Sequence, residues 1–377
     1  MKRRLPVVLA VLCGVVPATP AAAMPFIERS GVTTPADEAR AAYDAMTPAQ
    51  RIGQLFMAGV SSTHPSPATL AVLRAHHVGN VILDGNSSLG VTPTATNVAA
   101  IDAALTQGEV KPFVATDQEG GEVQRLTGPG FSPMPTALEQ GRLSPSVLRT
   151  RAKQWGKQLA SAGISLNLAP DADTVPSPHA RRNQPIGRYD REYGHTPSRV
   201  AAQVTAVVEG ESRSGVSVTL KHFPGLGRAT GNTDLTRRVT DPTRRHDPYL
   251  RPFKRGIAAH APFVMVSLAR YPNIDGRPAC FSTEVLRGML RHDLGFRGVI
   301  ISDSFHAKAV RFAAPATAAV RYFTAGGTML LDTERPPLYA MERAVRVKAA
   351  SSSSFAQLIR SDVLRVLRAK AIAGLLS

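Results

Sequence analysis

Five places in the chain concentrate side chains able to do chemistry. They are Asp117-Gln118-Glu119-Gly120-Gly121-Glu122-Val123-Gln124-Arg125, Asn167-Leu168-Ala169-Pro170-Asp171-Ala172-Asp173, Arg191-Glu192-Tyr193-Gly194, Lys221-His222-Phe223-Pro224-Gly225 and Ser302-Asp303. Asp303 follows the apolar run Val299-Ile300-Ile301, so a strand would deliver one short, rigid carboxylate, as a nucleophile requires. An Asp at that point also suits a helix N-cap, which is the plain structural alternative. Asp117, Arg125, Arg191, Lys221 and His222 can each bind a polar ligand through charge-assisted hydrogen bonds. A salt-bridged pair without a ligand role is the alternative for Lys221 and His222.

These residues must be positioned by something, and the surrounding pattern says what. Short apolar runs recur at Ile52–Gly59, Val78–Gly85, Pro112–Gly121, Gly163–Asp173, Val216–Gly225, Pro262–Tyr271, Arg297–Phe305 and Gly327–Thr333. Ala-, Leu- and Arg-rich stretches of helical character separate most of them, such as Ser146–Ala162 and Thr283–Leu294. Apolar strands alternating with helices argue for parallel βαβ units. Eight such units fit an α/β fold, a single-domain (β/α)8 barrel of the TIM type, with a doubly wound open sheet as competitor. In a barrel the polar residues listed above fall at the C-terminal rim of the strands, where active sites are built. Thr47-Pro48-Ala49-Gln50 reads as a capped helix start. Lys348–Phe355 reads as a surface loop, and Phe355–Leu376 as a final helix that closes the barrel.

The DQEGG-x-VQR and KHFPG stretches, with Ser302-Asp303, make the chain resemble glycoside hydrolase family 3, in particular its single-barrel β-N-acetylglucosaminidases. The resemblance runs from about Met46 to Leu376. It implies a retaining enzyme in which Asp303 attacks the anomeric carbon and forms a glycosyl-enzyme intermediate. It places Asp117, Arg125, Arg191, Lys221 and His222 around the sugar. Asp173 matches the acid of the family's NxAPVxD stretch and is expected behind them, orienting Lys221 or Arg191. Glu119 is given no chemical role, and the Gly120-Gly121 turn is expected to set the backbone beside it. The resemblance implies no metal or organic cofactor.

Two stretches depart from the family's pattern. After KHFPG the related enzymes carry an Asp-x-His dyad that protonates the leaving group. Here Asn232 stands for the dyad Asp and Asp234 for the dyad His. Asp234 is therefore the candidate acid/base, since a carboxylic acid with a raised pKa is the usual donor in glycosidases. An ordinary Thr-Asp turn on a mobile loop is its alternative. The family's SDDLxM reads Ser302-Asp303-Ser304-Phe305-His306-Ala307, which alters the wall near an N-acetyl pocket and leaves His306 either near the site or on the surface. The resemblance points to an exo-β-N-acetylglucosaminidase acting on cell-wall fragments or related glycans. A β-glucosidase or β-xylosidase of the same family, and an impaired barrel that only binds wall glycans, are the rivals.

The N-terminus reads as a secretory signal over residues 1–23: Lys2, Arg3 and Arg4, then the apolar Leu5–Val16, then Ala21-Ala22-Ala23. Residues 24–40 read as an extension or linker and 41–377 as the barrel. No later segment reads as a membrane span. Leu12 precedes Cys13, where a lipid-anchored cysteine wants a small residue, so free secretion is expected. Once Cys13 leaves, Cys280 has no disulfide partner, and its apolar setting reads as core. The formal charge of +17 is consistent with attraction to an anionic cell wall, or with a solvated basic surface alone. No nucleic-acid motif accompanies it. A monomer with a carbohydrate substrate is the expected state. Mass spectrometry of the exported protein should find a chain beginning near Met24 and no lipid. A diacylglycerol adduct on Cys13 would reverse that expectation.

Overall fold

In a computed structural model of the chain, residues 33–178 and 180–376 are described. The expected signal, Cys13 and the first part of the expected extension lie outside the described residues. Each of the eight apolar runs holds a strand, the first of them running two residues past its run: β1 Phe56–Ser61, β2 Asn80–Asp84, β3 Phe113–Thr116, β4 Leu166–Asn167, β5 Ser217–Phe223, β6 Phe263–Val266, β7 Val299–Ser302 and β8 Leu330–Asp332. They are almost wholly buried, as strands covered on both faces must be. Every strand pairs in parallel with the next in sequence, and β8 returns to β1 with Phe56 opposite Leu330. Between β7 and β8 the closure is a single bridge, Ile301 to Met329, reinforced by the Ser302 N–H donating to the Met329 carbonyl at 2.9 Å. Consecutive order without reversal is that of a barrel and not of a doubly wound sheet.

Ser or Thr followed by Pro starts helix after helix. Thr34, Thr47, Ser66, Ser144 and Thr196 each cap a following turn with their hydroxyl, and Pro occupies the first helical position. The hydroxyl satisfies an N–H that the helix cannot, and Pro gives up an N–H that would be unpaired there. Helix α1 (Pro35–Ala45) therefore begins inside the stretch read as extension, and it packs on the C-terminal helix. Helix α2 (Pro197–Ser212) packs on β5 and reaches β4 through Glu211 and Asn167. Helix α3 (Arg335–Ser351) runs straight through the expected loop at Lys348–Phe355. Only Ser352 interrupts it before helix α4 (Ser353–Ile372), where the Ser352 hydroxyl caps the Phe355 N–H. The serine run is thus a cap and not a loop. Helix α4 also ends earlier than the expected Leu376.

The barrel floor is filled rather than open. Phe113 and Phe263, from the starts of β3 and β6, meet edge to face at 5.2 Å. The Lys370 ammonium from α4 lies 5.8 Å from the Phe113 ring and donates to the Gln54 side chain and the Gly79 carbonyl. Cys280 is fully buried and unpaired, as its apolar setting implies. No described helix is long and apolar enough to cross a membrane.

Glu211 of α2 is the buried acid that ties the outer ring to the rim. Both its carboxyl oxygens face Asn167 Nδ2, at 3.2 and 3.0 Å, and Asn167 in turn brackets the Gln118 backbone. Burial pushes the Glu211 carboxyl up to about 8. The folded chain thus favours the protonated acid, and that contribution is full below pH 4.5 and is lost as pH rises towards 8. Glu211→Gln keeps the shape and carries no charge. Thermal melts should show it matching the parent near pH 4.5 and exceeding it by a growing margin up to pH 8; a pH-independent difference would contradict the assignment.

Candidate active site

The rim is assembled from pairs of acids two residues apart on single strand ends. Successive side chains on extended backbone alternate, so i and i+2 share a face. Asp117 and Glu119 leave the end of β3 this way and meet one ammonium: Lys221 Nζ lies 2.6 Å from both Asp117 Oδ1 and Glu119 Oε1. Lys221 is buried, and the two carboxylates hold its pKa up against the desolvation that would lower it. Glu119 also takes the Arg191 guanidinium in a two-pronged pair, with Nε and Nη2 each at 2.8 Å. Arg191 and Lys221 hold the Glu119 carboxyl well below its usual range despite full burial. The Gly120-Gly121 turn is required here. Gly120 has φ +108° and a Cβ on it would meet the Pro135 carbonyl at 2.1 Å.

Asp171 and Asp173 follow β4 in the same i, i+2 relation. Asp173 faces His222 Nδ1 at 2.8 Å and accepts the backbone N–H groups of His222 and Leu226 at 3.3 and 2.7 Å. Burial pushes its carboxyl up to about 7. Burial, and next the Asp173 charge, push Asp171 well above the ordinary range. Asp171 Oδ2 makes no hydrogen bond among the described residues and lies 3.8 Å from Arg191 Nη2. Desolvation pushes the His222 imidazole down, which favours the neutral ring. Asp171, Asp173 and His222 could each offer a metal ligand atom, since these atoms lie within 4.8 Å of one another. The His222–Asp173 contact and the Arg191 cation already occupy that space, and a cation there would face Arg191 directly.

Asp303 leaves the end of β7, with its N–H on the Val266 carbonyl at 3.1 Å and its Oδ1 accepting the Ser304 N–H at 2.8 Å. It caps no helix, because the next begins at Pro315 behind Ala314. Burial raises its carboxyl, the neighbouring His222 ring works against that rise, and the Asp234 charge adds to it. Asp234 is exposed, but the surrounding mouth of the barrel dehydrates its carboxyl enough to raise it, with Arg191 and His306 pulling it down. Its loop is fastened at both sides. The Lys308 and Ala309 N–H groups donate to the Asp234 and Thr233 carbonyls at 3.3 and 3.1 Å, and Val239 and Asp241 bracket Arg270 beyond β6. The loop that the alternative reading took as mobile is therefore hydrogen-bonded to its neighbours on both sides.

Asp117, Arg191, Lys221, His222, Asp173, Asp303 and Asp234 thus share one electrostatic neighbourhood. Arg125 stands apart from the ion network, donating to Asn86 Oδ1 at 3.0 Å. His306 is exposed and paired with Glu334 at 2.8 Å, one shell out from Asp234. Two expectations need correction. Asp173 orients His222 rather than Lys221 or Arg191, because its carboxylate closes on the residue after the lysine. Glu119, given no role, is the residue that holds both cations; its i, i+2 relation to Asp117 was the available signal.

Residues 47–369 match the model of the glycosyl hydrolase family 3 N terminal domain. The solved β-N-acetylhexosaminidase from Beutenbergia cavernae is 45% identical, superposes with a TM-score of 0.84, and the match covers 86% of this chain and 98% of that one. A family 3 β-N-acetylglucosaminidase from Paenibacillus sp. is 28% identical with a TM-score of 0.79, covering 88% of this chain and 63% of that one. A curated β-hexosaminidase of Xylella fastidiosa is 34% identical over 267 residues, 68% of this chain and 76% of the relative. With the family model spanning the whole barrel and its rim, the chain belongs to glycoside hydrolase family 3.

Proposed function

We propose that this glycoside hydrolase is a retaining exo-β-N-acetylglucosaminidase, with Asp303 as nucleophile and Asp234 as acid/base. The observation that carries the proposal is the placing of two carboxyls on loops bonded to each other, both raised by burial and with the Asp234 charge adding to the rise at Asp303, beside a pre-formed cluster of Asp117, Lys221, Arg191 and His222. Asp303 attacks the anomeric carbon while Asp234 gives its proton to the departing glycosidic oxygen. Asp234, now ionised, takes a proton from water, the water oxygen displaces Asp303, and free sugar with retained configuration results. Lys221 and Asp117 bind ring hydroxyls, and His222, its Nδ1 committed to Asp173, presents Nε2 as a further partner. These groups are fixed before substrate arrives, so little reorganisation is left to the reaction.

The names of the Beutenbergia, Paenibacillus and Xylella relatives support an N-acetylated sugar over a glucoside or xyloside. Export by residues 1–23 and action on cell-wall glycans, aided by the chain's basic charge, complete the reading. Turnover of a chromogenic β-N-acetylglucosaminide alongside the β-glucoside tests the sugar; equal turnover of both, or of neither, would overturn it.

Asp303→Asn should lower turnover more than about a hundredfold with the melting temperature retained, because an amide cannot form the glycosyl ester. A smaller loss would remove Asp303 as nucleophile. The pH profile should be bell-shaped. Activity falls on the acid side as raised Asp303 is protonated, and on the basic side as raised Asp234 loses its proton. Asp234→Ala should abolish the basic limb and cripple hydrolysis of natural glycans. Glycosylation by activated phenyl glycosides should be spared, with azide rescuing the second step. Uniform slowing of all substrates would show that Asp234 is not the donor.

A further inference from the structure

The opposite end of the barrel carries a second cavity that the hydrolytic reaction does not use. It has a volume of about 1040 Å³ and opens at the N-terminal ends of β5, β6 and β7, where Val216, Pro262 and Gly298 line it. Helices α1 and α4 form its other walls. The floor is apolar, built from Ala39, Ile257, Phe296 and Ala369, with the exposed Ile372 at its margin. Around this floor stand Arg40 from α1, Arg213 after α2, Arg297 before β7 and Arg368 from α4. All four are exposed, and none makes an ion pair or a side-chain hydrogen bond among the described residues.

That charge arrangement is one-sided. Glu209 is the acid that lines the cavity among the described residues, and it is already paired with Arg149 at 2.6 Å. A fifth guanidinium, Arg365, is paired with Asp362 at 2.9 Å and adds no free charge. Four unpaired guanidiniums from four separate elements line one concave surface, and arginine is the side chain best shaped to take phosphate or carboxylate in two-pronged fashion. An apolar floor beneath them rewards a ligand that brings hydrocarbon with its charge. The size is that of a small-molecule site.

We infer that this cavity binds an anionic amphiphile, a single alkyl chain carrying a phosphate or carboxylate head, with Arg40, Arg213, Arg297 and Arg368 on the head and the Ile257–Phe296 floor under the chain. The inference is independent of the hydrolytic reading, since the cavity lies across the barrel from Asp303.

The test uses the full chain and dodecyl phosphate below its micellar concentration, followed by calorimetry. Saturable binding is expected, weakening with added salt. Inorganic phosphate, and dodecyl maltoside as the neutral amphiphile, should each bind at least ten-fold more weakly. The double variant Arg297→Glu/Arg368→Glu should lose at least ten-fold in affinity while its melting temperature and glycoside turnover stay those of the parent. Ala39→Trp, which fills the floor and leaves every arginine in place, should weaken dodecyl phosphate but not inorganic phosphate. Equal binding of inorganic phosphate would reduce the site to a charge patch and overturn the inference. So would equal binding of the maltoside, or unchanged affinity in the folded double variant.

Discussion

Lys221 is the constraint on which the rim depends. Its ammonium is buried, and an unpaired charge at such a depth would cost several kcal/mol. The carboxylates of Asp117 and Glu119 supply the compensation at 2.6 Å, from a strand two places round the barrel. Glu119 then has capacity left for Arg191, which comes from the long segment after β4. One satisfied cation thereby fixes the ends of β3 and β5 and the segment between them. The Gly120-Gly121 turn, the Gln140 side chain on the Glu119 carbonyl and the Asn167 side chain on Gln118 all serve to keep Glu119 in place.

The second half of the rim runs on acids without enough cations. Asp171 and Asp173 lie side by side in a dry setting; desolvation raises both, and the Asp173 charge raises Asp171 further. His222 relieves part of it through Nδ1. A buried histidine facing a carboxylate has its ring orientation and tautomer set by that contact. The ring nitrogen left free, Nε2, is therefore chosen by Asp173. In this sense Asp173 and Glu119 do parallel work, one for the imidazole and one for the two cations.

Asp234 differs from both because its own carboxyl is held by no ion pair among the described residues; backbone bonds between loops, with the Asn232 side chain, position its turn. Its loop borrows N–H groups from the β7 loop, the same loop that begins at Asp303. The two carboxyls are thus mounted on segments bonded to each other. The substitutions that depart from the family's pattern, Asn232 and Asp234, sit within this latch: Asn232 Oδ1 accepts the Asp234 N–H at 2.8 Å and shapes the turn.

The eight strands and the identity of most rim residues were legible in the sequence, because apolar strands have a short period and rim acids follow them directly. The helix start at Thr47-Pro48 was legible from its cap, whereas the start at Thr34-Pro35 was passed over and the serine run at 351–354 was misread because a cap and a loop share the same residues. Pairings were not legible. Nothing local says that Lys221 will meet Glu119 across 102 positions, that Asp173 will choose His222 over Lys221, or that Arg125 will turn to Asn86. Nor could spacing show the cavity at the other end of the barrel, whose arginines lie far apart in the chain. Local sequence determines which backbone conformation is cheap and which side chains are offered. Which charges are buried, and which partner neutralises each, depends on distances that only barrel closure creates.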